Sequence, residues 1–505
     1  MFSFLLGFGL RMIPEVLAFP HPIGFDTVYY GGRMVSGVVW QHWSSVFSST
    51  WLLYALMVPM YGVLRVDPFL LLKVAAPLFY GLNVAGIYYF ARRELSWDVK
   101  KSLFVGGFFA FQLAALRISW DLLRNTLGLG ILLFTLPLIG KLESKRNFVG
   151  FVLLSLLAVF AHEYAAVTLL VVVLWMVLRS SFKDDLGKYV RLIFASLPAF
   201  AVFLARVYLR MFPIRYAVET NVISAGDIVR ASSGKLFFLT NYLVVNDGVQ
   251  YYPSYVDLAL HVSVLFAVLY IPYLFLVWKG FFREDRLDAW SGLLLVGAFG
   301  CLVVPFCAPF LWSRWMFMLV YPFTFYAVNG LEKVLRCSSG GNGRFSFEGL
   351  EGLGNRVKGI VLVTVLLGSF YLATPVLMNS LGGGVASIPP VYGYFSSAPT
   401  VPYQDVDSVI QAIEWLNANM NGTSCVILQH AFAPWGILYL NKSHKIIRFS
   451  IEGGKALDVA QEHGFSFVYF VWWNEDIGWY SYVELPSNFL VIQDFGRISV
   501  FEYYG

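Results

Sequence analysis

The chain has 505 residues, of which 58% are hydrophobic and 13% charged, with a formal net charge of +5. Its mean hydropathy is +0.66, a composition that excludes an ordinary soluble globule and points to a polytopic membrane protein. The modest net charge gives no argument for a nucleic-acid partner, and the four cysteines contain no CxxC pair, which excludes a cysteine-rich zinc site.

From the amino terminus, Met1 to Leu10 is a short apolar run interrupted by Arg11 and Pro14. No cleavable signal peptide is expected there. The run is either the outer part of a first helix whose natural start lies upstream or a short helix of little tilt. Further apolar runs follow at about 69–91, 102–116, 124–140, 148–161, 163–179, 192–209, 257–279, 288–308, 313–330 and 359–379. With the first segment they predict about eleven spans of a transmembrane helix bundle over residues 1–380. The segments ARRELSWDVKK, GKLESKRN, RSSFKDDLGKYVR, KGFFREDR and the 331–358 loop are rich in Lys or Arg and fall on alternate sides of these helices. The positive-inside rule then sets all five, and the amino terminus, in the cytoplasm.

This orientation leaves four outer segments: about 11–68, the turn at 117–123, the AHEY turn and a long loop at 210–256. Within the first, the stretch 46–64 is apolar but interrupted by Pro59 and followed by Arg65 and Asp67, so it reads as an interfacial or re-entrant helix. Residues 381–399 read as a linker. From 400 to 505 the pattern changes to an amphipathic helix over DVDSVIQAIEWLNANM, buried strands at CVILQ, KIIRFS and FSFVYFVWW, and a final strand pair. This predicts a small α/β domain outside the membrane. Two Asn-x-Ser/Thr sequons, at Asn421 and Asn441, are compatible with that location.

Two acidic residues stand out. Asp26, in HPIGFDTVYYGG, and Asp121, in LRISWDLLRN, lie in outer segments beside apolar helices, where an unpaired charge is costly. A structural role is open to both: Asp26 would cap a helix beginning at Thr27, and Asp121 would pair with Arg117 or Arg124. His162 and Glu163 form a polar pair in a very tight outer hairpin. Either they satisfy one another, or they face the same cavity and help hold a metal or a head group. H-E-x-x-H is absent, since position 166 is Ala166.

The order of these motifs carries a resemblance. P-x-G-x-D-x-x-x-Y (Pro22, Gly24, Asp26, Tyr30) is followed by a long helix ending in Ala91-Arg92-Arg93-Glu94-Leu95. A cytoplasmic turn, a third helix and R-x-x-x-D (Arg117, Asp121) complete the series. This pattern resembles the GT-C superfamily of membrane glycosyltransferases, which includes protein O-mannosyltransferases, aminoarabinose transferases and oligosaccharyltransferase catalytic subunits. In architecture the resemblance covers the whole chain. It implies inverting transfer of a sugar from a polyprenyl (dolichyl) phosphate to a glycan-lipid or protein acceptor at the outer face, in contact with membrane lipid.

In that plan Asp26 is the general base and Asp121 a second acidic group for acceptor or metal. A divalent cation, Mg or Mn, would be held by these two carboxylates. Arg314, in LWSRWMFMLVYP, is the contact for the donor phosphate, with Arg117 and Arg124 as weaker candidates for the same task. An interfacial anchoring role between Trp312 and Trp315 is the alternative for Arg314. His21 and Tyr30, from the opening motif, are further candidates. The W-W-D-Y-G element of oligosaccharyltransferases is missing. CVILQHAFAPWGILYLNK keeps Trp435 and Gly436 but no Asp, and VWWNEDIG falls in another strand context. An acceptor other than a glycosylation sequon is therefore expected. The 210–256 loop, with Arg215, Glu219, Asp227, Arg230 and Tyr251-Tyr252, is either a closing lid or a passive interfacial segment. Oligosaccharide transfer by the same fold is the nearest alternative. A lipid-linked sugar flippase or a non-catalytic scaffold is the more distant one, and the absence of internal repeats speaks against the flippase.

Overall fold

The computed structural model describes residues 1–37, 43, 47, 49–180, 186–212, 221–225, 239–243, 252–339, 355–374, 395, 398–474, 480 and 483–504. The chain is mainly helical. The first half contains α1 (Phe2–Leu17), α2 (Phe25–Ser36), α3 (Leu52–Leu64), α4 (Pro68–Arg93), α5 (Val99–Ala110), α6 (Leu113–Asp121), α7 (Leu123–Thr135), α8 (Lys145–Ala161), α9 (Glu163–Ser180) and α10 (Leu186–Met211). Then come strands β1 (Val222–Ser224) and β2 (Leu239–Thr240), α11 (Tyr255–Gly280), α12 (Asp285–Val303), β3 (Ala308–Pro309), α13 (Trp312–Met318), α14 (Val320–Ser339) and α15 (Asn355–Leu372). The remainder alternates helix and strand: α16 (Val406–Asn419), β4 (Ser424–Gln429), α17 (Ala433–Tyr439), β5 (Lys445–Phe449), α18 (Gly453–Glu462), β6 (Phe467–Trp473), β7 (Phe489–Asp494) and β8 (Ile498–Tyr503).

Each apolar run is helical over most of its length. Among the described residues, five helices are long and apolar enough to cross a membrane: Pro68–Arg93, Leu123–Lys141, Tyr189–Met211, Tyr255–Gly280 and Asp285–Val303. The pair α5 and α6, bent by 62°, makes a sixth if it is one span. This is consistent with a membrane protein, although the number falls short of eleven. One reason is length, since α1 and α8 have 16 and 17 residues against the ~20 that a straight crossing takes. Phe194, Ile271, Leu366 and Phe370 are all more than half exposed. Such apolar exposure along helices suits lipid better than water.

The first helix corrects the sequence reading at Arg11. Instead of ending there, α1 continues to Leu17 with Arg11 and Glu15 buried. Glu15 binds Arg11 at 2.8 Å and Lys73 of α4 at 3.1 Å, while Arg11 donates to the carbonyl oxygens of Ser119 and Trp120. Two cations and one carboxylate thus tie α1, α4 and α6 together where sequence polarity suggested a loop. Removing one partner of such a buried set typically costs ~3–5 kcal/mol.

Ion pairs collect at the two ends of the bundle. At one end Arg286 binds Glu94, Arg179 binds Asp285, and Lys101 binds Glu332. At the other, Glu163 binds Arg210. Glu163 and Arg179 are the two ends of α9, about 24 Å apart at 1.5 Å per residue.

The carboxy-terminal strands form a six-stranded sheet in the order β1-β5-β4-β6-β8-β7. The first four are parallel and the last two antiparallel. Strand β1 comes from the 210–256 segment, with Val222 opposite Ile446. One sheet face (Cys425, Ile427, Ile447, Val468) packs with Ala456 and Leu457 of α18. The other (Val426, Leu428, Ile446, Val471) shares one apolar cluster with Val28 of α2, Leu53 of α3 and Leu72 of α4. Sheet and bundle therefore meet through a continuous core at α2, and that contact positions the site below.

Candidate functional site

Helix α2 begins differently from the expectation. Its N-cap is Gly24, at φ +84°, with no side-chain capping bond; Asp26 lies inside the first turn. Asp26 is therefore not a cap for a helix starting at Thr27. The positive φ is one that glycine adopts without a Cβ penalty. A second constraint applies at the same residue, because a Cβ on Gly24 would lie 2.4 Å from Cβ of Asp121. The opening loop thus rests directly on the end of α6, and the two acidic motifs, 95 positions apart, share one place.

Four charged side chains surround this junction. Arg314, near the start of α13, approaches Asp26 at 3.5 Å. Arg117 grips Asp121 with both guanidinium nitrogens, at 2.5 and 3.4 Å, and lies 5.7 Å from the centroid of the Phe317 ring. Between the two partners anticipated for Asp121, the structure selects Arg117. Arg124 instead donates to Thr50 at 2.6 Å and lies over the ring of buried Tyr30 at 5.5 Å; its buried Nε has no hydrogen-bond partner among the described residues. Asp121 is nearly covered, whereas the Asp26 and Arg314 side chains are each about a quarter exposed (26% and 27%). Burial raises the Asp26 carboxyl above the usual carboxylate range, Arg314 works against that rise, and the negative charge of Asp121 adds to it. A carboxylate in this setting is a better proton acceptor than one in water.

The remaining anticipated residues are distributed around this centre. His162, the single residue between α8 and α9, accepts a hydrogen bond on Nδ1 from the Tyr164 amide at 3.1 Å. Glu163 binds Arg210, so the two do not satisfy one another; the tight turn points their side chains to separate partners. Tyr164 packs its ring 4.8 Å from Trp315, beside Arg314. The Tyr252 hydroxyl accepts from the Trp312 indole on the same short helix. Arg215, Glu219, Asp227, Arg230 and Tyr251 lie outside the described residues. His21 Nε2 is 3.9 Å from Asp407, and His21 lines a cavity of about 270 Å³ with Phe69, Lys73 and Trp435. Among the described residues no group of three His, Cys, Asp or Glu side chains could hold a metal ion. Asp26 and Asp121 each already face a guanidinium, that of Arg314 and that of Arg117.

Other residues near α2 had no signal in sequence. The Tyr29 hydroxyl donates to the carbonyl oxygen of His430, just beyond β4. The Tyr29 and Phe25 rings lie 5.1 and 6.3 Å from the His430 ring, and Arg448 of β5 contacts His430 Nδ1 at 2.6 Å. Tyr29 stands in the opening motif itself, but its partner lies 401 residues away. Trp435 and Gly436 have packing roles. The Trp435 indole donates to Thr400 at 2.8 Å and its ring meets Phe69, and Gly436 lets α17 approach Leu428. Trp473, in the later tryptophan pair, donates to Asp405 at 2.8 Å.

No family model and no curated protein matches the chain.

Proposed function

We propose that this chain is a membrane glycosyltransferase that moves a sugar from a polyprenyl-phosphate donor to a lipid-linked or protein acceptor at the outer face. The carrying observation is the junction of Asp26, Asp121, Arg117 and Arg314, drawn from three separate segments onto one helix start. In this reading the Asp26 carboxylate takes the proton of an acceptor hydroxyl as its oxygen attacks the anomeric carbon. The bond from that carbon to the donor phosphate breaks with inversion. Arg314, with Arg124 nearby, meets the charge that develops on the departing phosphate. Asp121 holds Arg117 in place and orients the acceptor.

The proposed topology has about eleven spans, a cytoplasmic amino terminus and the sheet outside. It places the junction at the membrane surface, where a lipid-anchored donor presents its sugar. The separation of charge into two clusters at opposite ends of α9 supports it. Asp26→Asn tests the assignment: the variant keeps the shape of the side chain and is expected to fold, yet to lose transfer by roughly 10²-fold or more. A folded Asp26→Asn protein with near-normal transfer would remove Asp26 from the reaction.

A further inference from the structure

Helix α2 has a second face, toward the sheet. Phe25, Tyr29 and Arg33 recur at the i, i+4, i+8 spacing and form one stripe; Asp26 and Tyr30 form the adjacent stripe, toward the bundle. The first stripe meets the carboxyl ends of the parallel strands β4 and β5, the edge at which open parallel sheets commonly take ligands. His430 directly follows β4, and Arg448 pairs in register with Leu428.

The chemistry at that edge is one-sided. Arg448 is half-buried and can only donate, so its 2.6 Å contact requires His430 Nδ1 to accept. His430 is then a neutral imidazole with its proton on Nε2. Burial and the adjacent guanidinium favour the same neutral form, holding its pKa down at about 4. The Nε of Arg448 is fully covered and has no hydrogen-bond partner among the described residues. The face of Tyr29 lies 6.0 Å from the Arg448 guanidinium, and the charge of Arg33 acts on Arg448 as a second cation. Among the described residues no carboxylate pairs with Arg448 or Arg33. Two neighbouring cations and a directed imidazole N–H thus meet no anion among the described residues, which makes this a site short of one ligand.

We propose that Arg448, His430 and Arg33 bind an oxyanion, a phosphate or a carboxylate, on the stripe of α2 next to that of Asp26. Under the function above this is the acidic group of the acceptor, and that assignment rests on Asp26 as the base. The anion site itself does not. It implies an acceptor with a negative charge a short distance from its attacking hydroxyl, and it gives the sheet a part in choosing the acceptor.

Equilibrium dialysis of the purified full chain in detergent tests this, with radiolabelled pyrophosphate and glucuronate as the phosphate and carboxylate probes. Arg314→Gln, which weakens the donor side, is expected to leave a saturable site for at least one probe. In that background Arg448→Gln is expected to weaken binding ~10-fold or more, and Arg448→Lys by less, since Lys keeps the charge but loses the planar fork. Asp26→Asn is expected to leave binding unchanged, which separates failure of the anion site from failure of the catalytic assignment. The preferred probe tells phosphate from carboxylate. Absence of binding by either probe, or affinities unaltered by both Arg448 substitutions, would overturn the proposal.

Discussion

At the scale of single residues, Asp26 combines partial exposure, a neighbouring carboxylate and a guanidinium at 3.5 Å. Burial raises its folded-state pKa, so the folded chain holds that proton to a higher pH than the unfolded chain does. The group therefore favours folding below the ordinary carboxylate range, and that contribution is lost as pH rises through the folded value. At neutral pH the charged form is a cost to the fold. Asp26→Asn is accordingly expected to melt at or above the wild-type temperature at pH 7, while the low-pH limb of wild-type activity titrates above pH ~4, where an unperturbed Asp ionises. A clear drop in melting temperature for the variant would show that the carboxylate stabilises the fold, contrary to this view. Asp26 was legible from sequence as a charged residue among apolar ones. Its role was less so: on residue type alone a cap for a helix at Thr27 was the better reading, and the backbone of Gly24 decides against it.

Gly24 belongs to the scale of elements, because it sets how α2 begins and how closely that start rests on α6. Alanine there meets both a positive φ and the side chain of Asp121. The strain from each source is of order 1–3 kcal/mol, and relief would come from lifting the opening loop off Asp121. Gly24→Ala should therefore lower stability by about 2–6 kcal/mol if neither strain is relieved, and lose more transfer activity than stability alone explains. Preserved activity at a reduced melting temperature would mean that the contact is only structural. Element boundaries also show where sequence reading stops. Runs of Leu, Val and Phe announced the helices, because apolarity is a local property. Arg11 and Glu15 hid the last turns of α1, because the Lys73 that makes their burial tolerable lies 58 residues from Glu15. Strand β1 was invisible for the same reason, as it exists through pairing with β5 more than 200 residues later.

For the whole molecule, the proposed function depends on sidedness. Antiparallel helices carry the Arg286, Arg179 and Lys101 ion pairs at one end and the Asp26 junction at the other. In the proposed topology, which follows the positive-inside rule, the first end is cytoplasmic. Cysteines engineered at exposed sites in 400–505 should react with a membrane-impermeant thiol reagent from outside intact cells, while cysteines in 340–354 should react only after permeabilisation. The reverse pattern would turn the molecule over and remove the site from the outer face. The sheet packed on α2 was legible as a set of strands and helices, but its apposition to the opening motif was not, since that contact is tertiary. Hence His430 and Arg448 could not be found by spacing.

The most direct measurement is transfer by the purified chain from a defined panel of polyprenyl-phosphate sugars, with products resolved by anomeric configuration and each reaction repeated with Asp26→Asn. If Asp26 is the base of a glycosyl transfer, at least one donor is consumed, polyprenyl phosphate is released, the product has inverted configuration, and the variant loses turnover. Consumption of no donor by the wild type, under conditions in which a GT-C enzyme of known activity turns over, would contradict the proposed function.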